Sequence, residues 1–531
     1  MFSIIMIIVN EVFFKSTTAE TVNLFLSTTT RMVIYSCSED SVRSASRISN
    51  MKPLSIISEG SQVNQILCAV LISMPMFAYG NCIGWMSPMT ILLQSKNSPT
   101  SIPLTDVEIS WMASLPYLIC VPATYLVATL GDRFGRKFAL LFMSAVSATI
   151  WILKLSSMNI WVFIVARILA GVVMAGSCVT YPTYIKEICE DNIRGALGCW
   201  GALFFTTGSL FAYIVGDILS YQTILMVFLA IPIINILVFL MMPESPSYLI
   251  KYGKEEEAVK ALVWLRCRRQ YDLTIQREID FMKREQRNDE LKGKNLMKTI
   301  LTDKILFRAF QIALVAALAR ELCGAVPVLN FAADIFRLAS GVTGLVLSPN
   351  QQAMVLGSVQ LCGAIMASGI VERCGRRPLL ILTCVASGLS MCILATWFLL
   401  YEFNVSPPGW VPVVTLCVCI FCDASGLMPI SIVITGETFS YKYRGTVLAT
   451  TMAISSFADF FQLLFFKPLA KSIGVYVAFY FFGAMCLATS LYVLLIVPET
   501  KNRKLEEIYD DLQSKKGKRK IEKHTSTTNV P

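Results

Sequence analysis

Between Val63 and Val497 the chain returns repeatedly to runs of mostly apolar residues, each about 18–25 long and so able to cross a hydrocarbon core of ~30 Å as a helix. Such runs are predicted near 63–85, 109–130, 138–158, 160–182, 196–218, 222–242, 305–330, 350–371, 378–400, 410–434, 446–468 and 473–497. In lipid every backbone N–H and C=O must be satisfied within the spanning structure, so runs of this length are expected to be helical. The fold class that follows is an all-α integral membrane protein with twelve transmembrane helices. Composition agrees: of 531 residues 55% are hydrophobic and only 15% charged, where soluble proteins carry about a quarter charged.

The net charge of +10 does not point to nucleic acid, because the basic residues lie in short segments between apolar runs and form no single stripe. They alternate by side. Arg133, Arg136, Lys137, Lys186, Arg194, the dense set from Lys251 to Lys304, Arg373, Arg376, Arg377, Lys442, Arg444 and the tail from Lys501 to Lys523 all fall on one side. The other side carries mainly Lys96, Arg337, Lys467 and Lys471, so both termini and the long middle loop are expected in the cytoplasm. Most of the 17 cysteines lie inside apolar runs and behave as small hydrophobes. The one histidine, His524, is in a Lys-rich tail. No disulfide framework, metal site or cofactor is expected.

The chain divides into a cytoplasmic N-terminal tail over 1–62, a bundle over 63–242, a loop over 243–304, a second bundle over 305–497 and a basic tail over 498–531. The tail over 1–62 has no periodicity that would define an element, and Met51 offers an alternative start. The loop mixes Glu255, Glu256, Glu257, Glu278 with Arg266, Arg268, Arg269, Lys283 and Arg284 at helical spacing, which predicts short amphipathic helices at the membrane surface. Lys515, Lys516, Lys518, Arg519 and Lys520 suit either anionic lipid or solvent.

Motifs repeat between the two bundles. Asp132-Arg133-Phe134-Gly135-Arg136-Lys137 follows the second run and Glu372-Arg373-Cys374-Gly375-Arg376-Arg377 the eighth. Glu187 with Arg194-Gly195 follows the fourth, and Glu437 with Arg444-Gly445 follows the tenth, at the same spacing. Pro243-Glu244-Ser245 ends the sixth and Pro498-Glu499-Thr500 the twelfth. Three paired motifs at corresponding helix ends predict two related six-helix halves. These acids and arginines form a candidate cytoplasmic gate, pairing when the halves close on that side; the alternative is that the arginines only anchor topology.

On these residues the chain resembles the sugar porter branch of the major facilitator superfamily, across roughly 63–510. The resemblance is extended by Gly84-Trp85-Met86-Ser87-Pro88, Trp111 with Ser114, Tyr184-Ile185-Lys186-Glu187, Pro243-Glu244-Ser245-Pro246, Gly375-Arg376-Arg377-Pro378, Gly436-Glu437 and Pro498-Glu499-Thr500-Lys501 with Leu505-Glu506-Glu507-Ile508. The Gly-Trp-x-Ser-Pro and Pro-Glu-Thr-Lys forms are most similar to those of insect facilitated trehalose transporters. The resemblance implies the major facilitator fold and a polyol-sized substrate carried by alternating access, in the cell membrane.

The departures fall where that family binds sugar. Ala202 stands where a fifth-helix Gln is usual, and Arg320-Glu321-Leu322-Cys323-Gly324-Ala325-Val326 replaces Gln-Gln-x-x-Gly-x-Asn. Ile432 replaces a tryptophan, and Ser456-Phe457 replaces Asn-Trp. Each buried hydroxyl left unpaired costs roughly 1–3 kcal/mol, so a sugar needs other partners. The candidates are Thr206, Thr207, Arg320, Glu321, Asn330, Asp423, Ser455, Ser456 and Asp459, with Gly324 and Ile432 at motif positions. Ionisable groups in a membrane face a cavity or a partner, which singles out Arg320, Glu321, Asp423 and Asp459.

Proton-coupled sugar porters place a carboxylate in the first helix; here Val63 to Trp85 has none, so facilitated transport is expected, with Glu321 and Asp459 keeping a coupled mode open. A carrier of another organic solute and a non-transporting sensor are the alternatives. An enzyme is not expected, since the chain has neither a phosphate-cradling loop followed by Lys nor a nucleophile with a His base. Asn404-Val405-Ser406 fits a glycosylation acceptor in an external connection.

Overall fold

The computed structural model describes residues 61–511, apart from 97, 101, 269–271, 291–295, 344–346, 406, 502 and 504. The predicted tail over 1–62 lies almost wholly outside the described residues, as does the basic tail beyond 511.

Among the described residues, eleven helices are long and apolar enough to cross a membrane. A twelfth, Pro349–Cys374, is 26 residues long and matches the predicted eighth run; the side chains of Ser368 and Glu372 within it are not among those described. Several spans run longer than predicted, because their polar ends continue as helix past the apolar core, the second being Asp106–Phe134 and the eleventh Tyr441–Ser472, whereas the sixth, Tyr221–Phe239, and the twelfth, Val475–Ile496, are slightly shorter. A capping box of Thr105 and Glu108 starts the second, and Ser348 with Gln351 starts the eighth. The first span is Val63–Gly84 continued, after Trp85, by Met86–Leu93.

Within the first half the first span packs on the fifth (Asp191–Ile218), the second on the fourth (Ile160–Ile188), and the third (Arg136–Ser156) on the fourth and sixth (Tyr221–Phe239). The first and fifth spans touch backbone to backbone: a methyl group on Gly80 would meet the Phe205 carbonyl oxygen at 2.2 Å. Such close approach lets van der Waals contact hold helices together where lipid removes the hydrophobic driving force. In the second half the ninth span (Arg376–Glu402) packs on the twelfth (Val475–Ile496). The two halves meet where the second span lies on the eleventh and the fifth on the eighth.

The middle loop forms the helices Pro246–Lys251, Glu255–Leu265, Leu273–Glu290 and Leu296–Thr302. The first three bury Leu249, Leu262, Ile275 and Ile279 against one another. Arg266 ties this group to the fourth span, donating to the Ile188 carbonyl at 2.8 Å while pairing with Glu278 at 3.1 Å. The loop helices therefore have a small core of their own, beyond the amphipathic faces predicted.

Candidate functional site

Two spans of the second half break in mid-course, and the breaks bring charged residues together. The helix Lys304–Glu321 stops at Arg320 and Glu321, Leu322 to Gly324 turn, and the seventh span resumes as Ala325–Thr343. Gly324 has φ +85°, and a methyl group there would meet the Phe482 ring at 2.5 Å, so the turn requires glycine. The tenth span, Val411–Thr438, contains a π-turn over Asp423–Leu427, an irregularity frequent at functional sites. Asp459 lies in the middle of the eleventh span.

The Arg320 guanidinium donates to Glu321 Oε1 at 2.9 Å, and its Nε lies 3.8 Å from Asp423 Oδ1. Asp459 meets Glu321 carboxyl to carboxyl. All three acids are buried, at 3–4% exposure, while the Arg320 side chain is 30% exposed. Glu321 Oε2, Asp423 Oδ1 and Asp459 Oδ1 accept no hydrogen bond. Across the interface, Tyr79 and Cys178 of the first half lie within electrostatic reach of Arg320, and Tyr117 within reach of Asp459 and Glu321. The cluster thus faces the boundary between the halves.

The other candidates are placed as follows. Asn330, fully buried, donates to Tyr117 Oη at 3.4 Å and to the Val326 carbonyl at 3.0 Å, leaving its Oδ1 without a donor. Ser456 reaches Cys120 of the second span. Thr206 and Thr207 do not join the cluster, since both hydroxyls donate to the Leu203 carbonyl of their own helix. Ile432 is half exposed on the tenth span, below the π-turn. Asn404 occupies an exposed turn with φ +59°; Ser406 lies outside the described residues.

The paired motifs build the same network twice. Arg136 is bidentate to Glu187 at 3.1 Å and bonds Asp132 at 2.6 Å, while Arg376 bonds Glu437 at 2.8 Å. Glu244 accepts from the Arg136 and Lys137 backbone N–H groups at 3.0 Å, capping the third span; Glu499 does the same for Arg376 and Arg377 at 3.0 and 3.1 Å. Ser245 and Thr500 close the sets by donating to Glu187 and Glu437. Arg194 and Arg444 donate to carbonyls at the end of the preceding span, those of Cys189 and of Gly436 and Phe439. Arg133 stacks over Phe134 at 5.5 Å, Arg373 accepts at its carbonyl from Lys501, and the Glu372 side chain is not among those described. The described ion pairs of these motifs all stay within one half in this conformation.

At the opposite ends of the spans the halves are joined. Lys467 of the eleventh span pairs with Asp334 of its own half at 2.9 Å and reaches across to Gln94 Oε1 at 2.9 Å and Asp106 at 3.6 Å; Lys471 lies 3.2 Å from Asp106. Ser87 Oγ accepts from the Ala333 N–H at 3.0 Å beside the kink at Phe331, and Tyr213 donates to the Leu329 carbonyl at 2.8 Å. Sequence reasoning passed over Asp334, Asp106 and Gln94. It also passed over Lys154, caged between Trp85 at 3.4 Å and Trp151 at 4.4 Å, and Arg167, which donates to the Met112 and Cys82 carbonyls. The signal was there for the last two, each an ionisable residue inside an apolar run.

Residues 66–512 match the sequence model of the family described as Sugar (and other) transporter. The chain belongs to this family. Its members are transporters rather than enzymes, and the sugar porter resemblance, the twelve-helix major facilitator fold and a multi-pass membrane location agree with that membership. Among its relatives are the facilitated trehalose transporter Tret1 of Bombyx mori, 27% identical over 86% of this chain and 88% of that one. Solute carrier family 2, facilitated glucose transporter member 6 of Homo sapiens is 27% identical over 81% of this chain and 88% of its own length. The inward open structure of the xylose transporter XylE from E. coli aligns with a TM-score of 0.67 over 85% of this chain and 99% of that one, at 19% identity, which shows the shared fold. For a family member the two irregular spans are the significant local feature, since carriers of this architecture form their sites from discontinuous helices near the bilayer midplane.

Proposed function

We propose that the protein carries a sugar-class solute, of trehalose or hexose type, down its gradient across the cell membrane by alternating access. The observation that carries this reading is the asymmetry of the contacts between halves. Lys467, Asp106 and Gln94 bridge them at one end of the spans, while the described ion pairs of the repeated motifs at the other end, Arg136 with Glu187 and Arg376 with Glu437, lie within one half each. A carrier caught open on the motif side has this pattern. The charge bias puts that side, the middle loop and both termini in the cytoplasm.

In this reading residues 63–242 and 305–497 are the moving halves, joined by 243–304. Arg320, Glu321, Gly324, Asn330, Asp423, Ser456 and Asp459 line the solute path, and the motif acids and arginines form the cytoplasmic gate. The trehalose and glucose transporters among the relatives support a sugar as cargo. Uptake of labelled trehalose, glucose and fructose into vesicles holding the purified protein tests it: saturable flux of one of them is expected. A second reading, a non-transporting sensor, is favoured by the loss of the seventh-span amides at Arg320 and Glu321, and binding without flux for every solute would establish it in place of the first.

A further inference from the structure

We infer that the solute carries a positive charge: a polyhydroxy compound bearing an ammonium group, of the amino sugar class, whose cation docks among Asp459, Glu321 and Asp423. The inference rests on the carrier reading and narrows its cargo.

Charge balance comes first. Three carboxyl groups surround one guanidinium, and Arg320 lies within salt-bridge distance of two of them, Glu321 at 2.9 Å and Asp423 at 3.8 Å, with Asp459 further off but within electrostatic reach. Asp459, on a third helix, has no basic partner within salt-bridge distance among the described residues; it abuts Glu321 carboxyl to carboxyl. Two carboxylates tolerate that contact only with a cation or a proton between them. A neutral hydroxyl can donate a hydrogen bond there but cannot cancel the charge, and uncompensated charge is expensive in the membrane.

Vacant acceptors come second. Each acid keeps one buried oxygen that accepts nothing: Glu321 Oε2, Asp423 Oδ1 and Asp459 Oδ1. An ammonium group has three donors and no acceptor, which matches three orphaned acceptors on three spans. Asn330 Oδ1, also buried and without a donor, adds an acceptor suited to a hydroxyl.

The facing wall comes third. The first-half groups within electrostatic reach of the cluster are Tyr79, Tyr117, Cys120 and Cys178; the basic Arg167 lies beside the two tyrosines and is taken up by the Met112 and Cys82 carbonyls. Tyr79 packs on Phe205 with ring centroids 4.8 Å apart and the planes tilted by 32°. Carboxylates on one side and tyrosine side chains on the other form an environment that attracts an organic cation. The Arg320 side chain, 30% exposed and directed at this boundary, holds two acids in place while leaving the third for the ligand.

The test uses the full-length protein in proteoliposomes, with D-glucosamine, N-acetyl-D-glucosamine and D-glucose as labelled solutes at equal concentration. Acetylation removes the charge and keeps the ring. Glucosamine is expected to enter roughly tenfold or more faster than either neutral sugar, and Asp459→Asn and Glu321→Gln are expected to erase that preference. Equal rates for the three sugars would overturn the inference while leaving the carrier reading intact. So would neutral-sugar accumulation driven by an imposed proton gradient and lost in Asp459→Asn, which would make the acid pair a proton site. Thermal melting in detergent decides the matter if no sugar moves: stabilisation by glucosamine but not by its N-acetyl form supports the cation site with the carrier reading lost, and stabilisation by neither overturns both. Melting of the unliganded variants at the wild-type temperature separates loss of selectivity from loss of fold.

Discussion

At the residue scale the two halves repeat one device with different charge energetics. Glu244 and Glu499 each cap a helix that begins just after a left-handed glycine, Gly135 at φ +106° and Gly375 at φ +84°. At Glu244 burial outweighs the Lys137, Ser245 and Arg136 N–H groups and pushes the carboxyl above the ordinary glutamate range. At Glu499 burial also pushes upward, but the Lys501, Arg376, Arg377 and Thr500 N–H groups outweigh it and hold the carboxyl below that range. The signs are opposite. The depressed group adds stability above its unfolded pKa that is lost as pH falls through the folded value, while the raised group's contribution is present below its unfolded pKa and fades as pH rises. Because glutamine resembles the protonated acid, Glu499→Gln is expected to lower the melting temperature at pH 7 by more than Glu244→Gln. Thermal unfolding of the two purified variants checks this, and an equal or reversed order contradicts it.

Elements contribute by where they stop being regular. The seventh span could have run unbroken through its apolar sequence, yet it turns at Leu322 to Gly324 and kinks again at Phe331. Alanine at Gly324 would need a left-handed conformation and would meet the Phe482 ring at 2.5 Å. Gly324→Ala is therefore expected to cost about 1 kcal/mol or more in stability and to cut uptake severalfold by moving Arg320 and Glu321, read by melting and by initial uptake rates. The glycine itself was legible, because the family pattern keeps it. The turn that makes it necessary was not, since periodicity sees an uninterrupted apolar run. The π-turn at Asp423 was equally hidden: the run around it is apolar on nearly every side, so the change of helical phase caused by one inserted residue leaves no mark on the hydrophobic pattern.

For the whole molecule the decisive feature is that the halves are bridged at one end. An exposed ion pair is worth ~0–1 kcal/mol, and Lys471 to Asp106 is of that kind. Lys467, at 7% side-chain exposure, is buried: it pairs with Asp334 of its own half at 2.9 Å and reaches across to Gln94 Oε1 at 2.9 Å and to Asp106 at 3.6 Å. Of the contacts that cross between the halves here, the bond from buried Lys467 to Gln94 is better shielded from solvent than the exposed Lys471–Asp106 pair. If opening there is part of the cycle, tethering it stops turnover. In Asp106→Cys/Lys471→Cys, a short bifunctional methanethiosulfonate is expected to abolish uptake and a reducing agent to restore it, beyond any effect of the reagent on the native cysteines, which the wild type and the variants with one introduced cysteine report; continued uptake in the tethered protein would show that this end need not open.

The sequence by itself determined the all-helical membrane class, the expected number of spans, the side on which the basic residues gather and the duplication behind the twin motif networks. Hydropathy, charge bias and repeated motifs are local properties of the chain, so they survive without coordinates. Tertiary structure alone decided which charges meet. Arg320, Glu321, Asp423 and Asp459 belong to three helices, and only the breaks in two of these and the packing of all three bring them together. It likewise decided that Thr206 and Thr207 turn back on their own helix and that Lys467 reaches across to Asp106. A side chain's partner depends on helix rotation and register, and an apolar run of this length constrains neither.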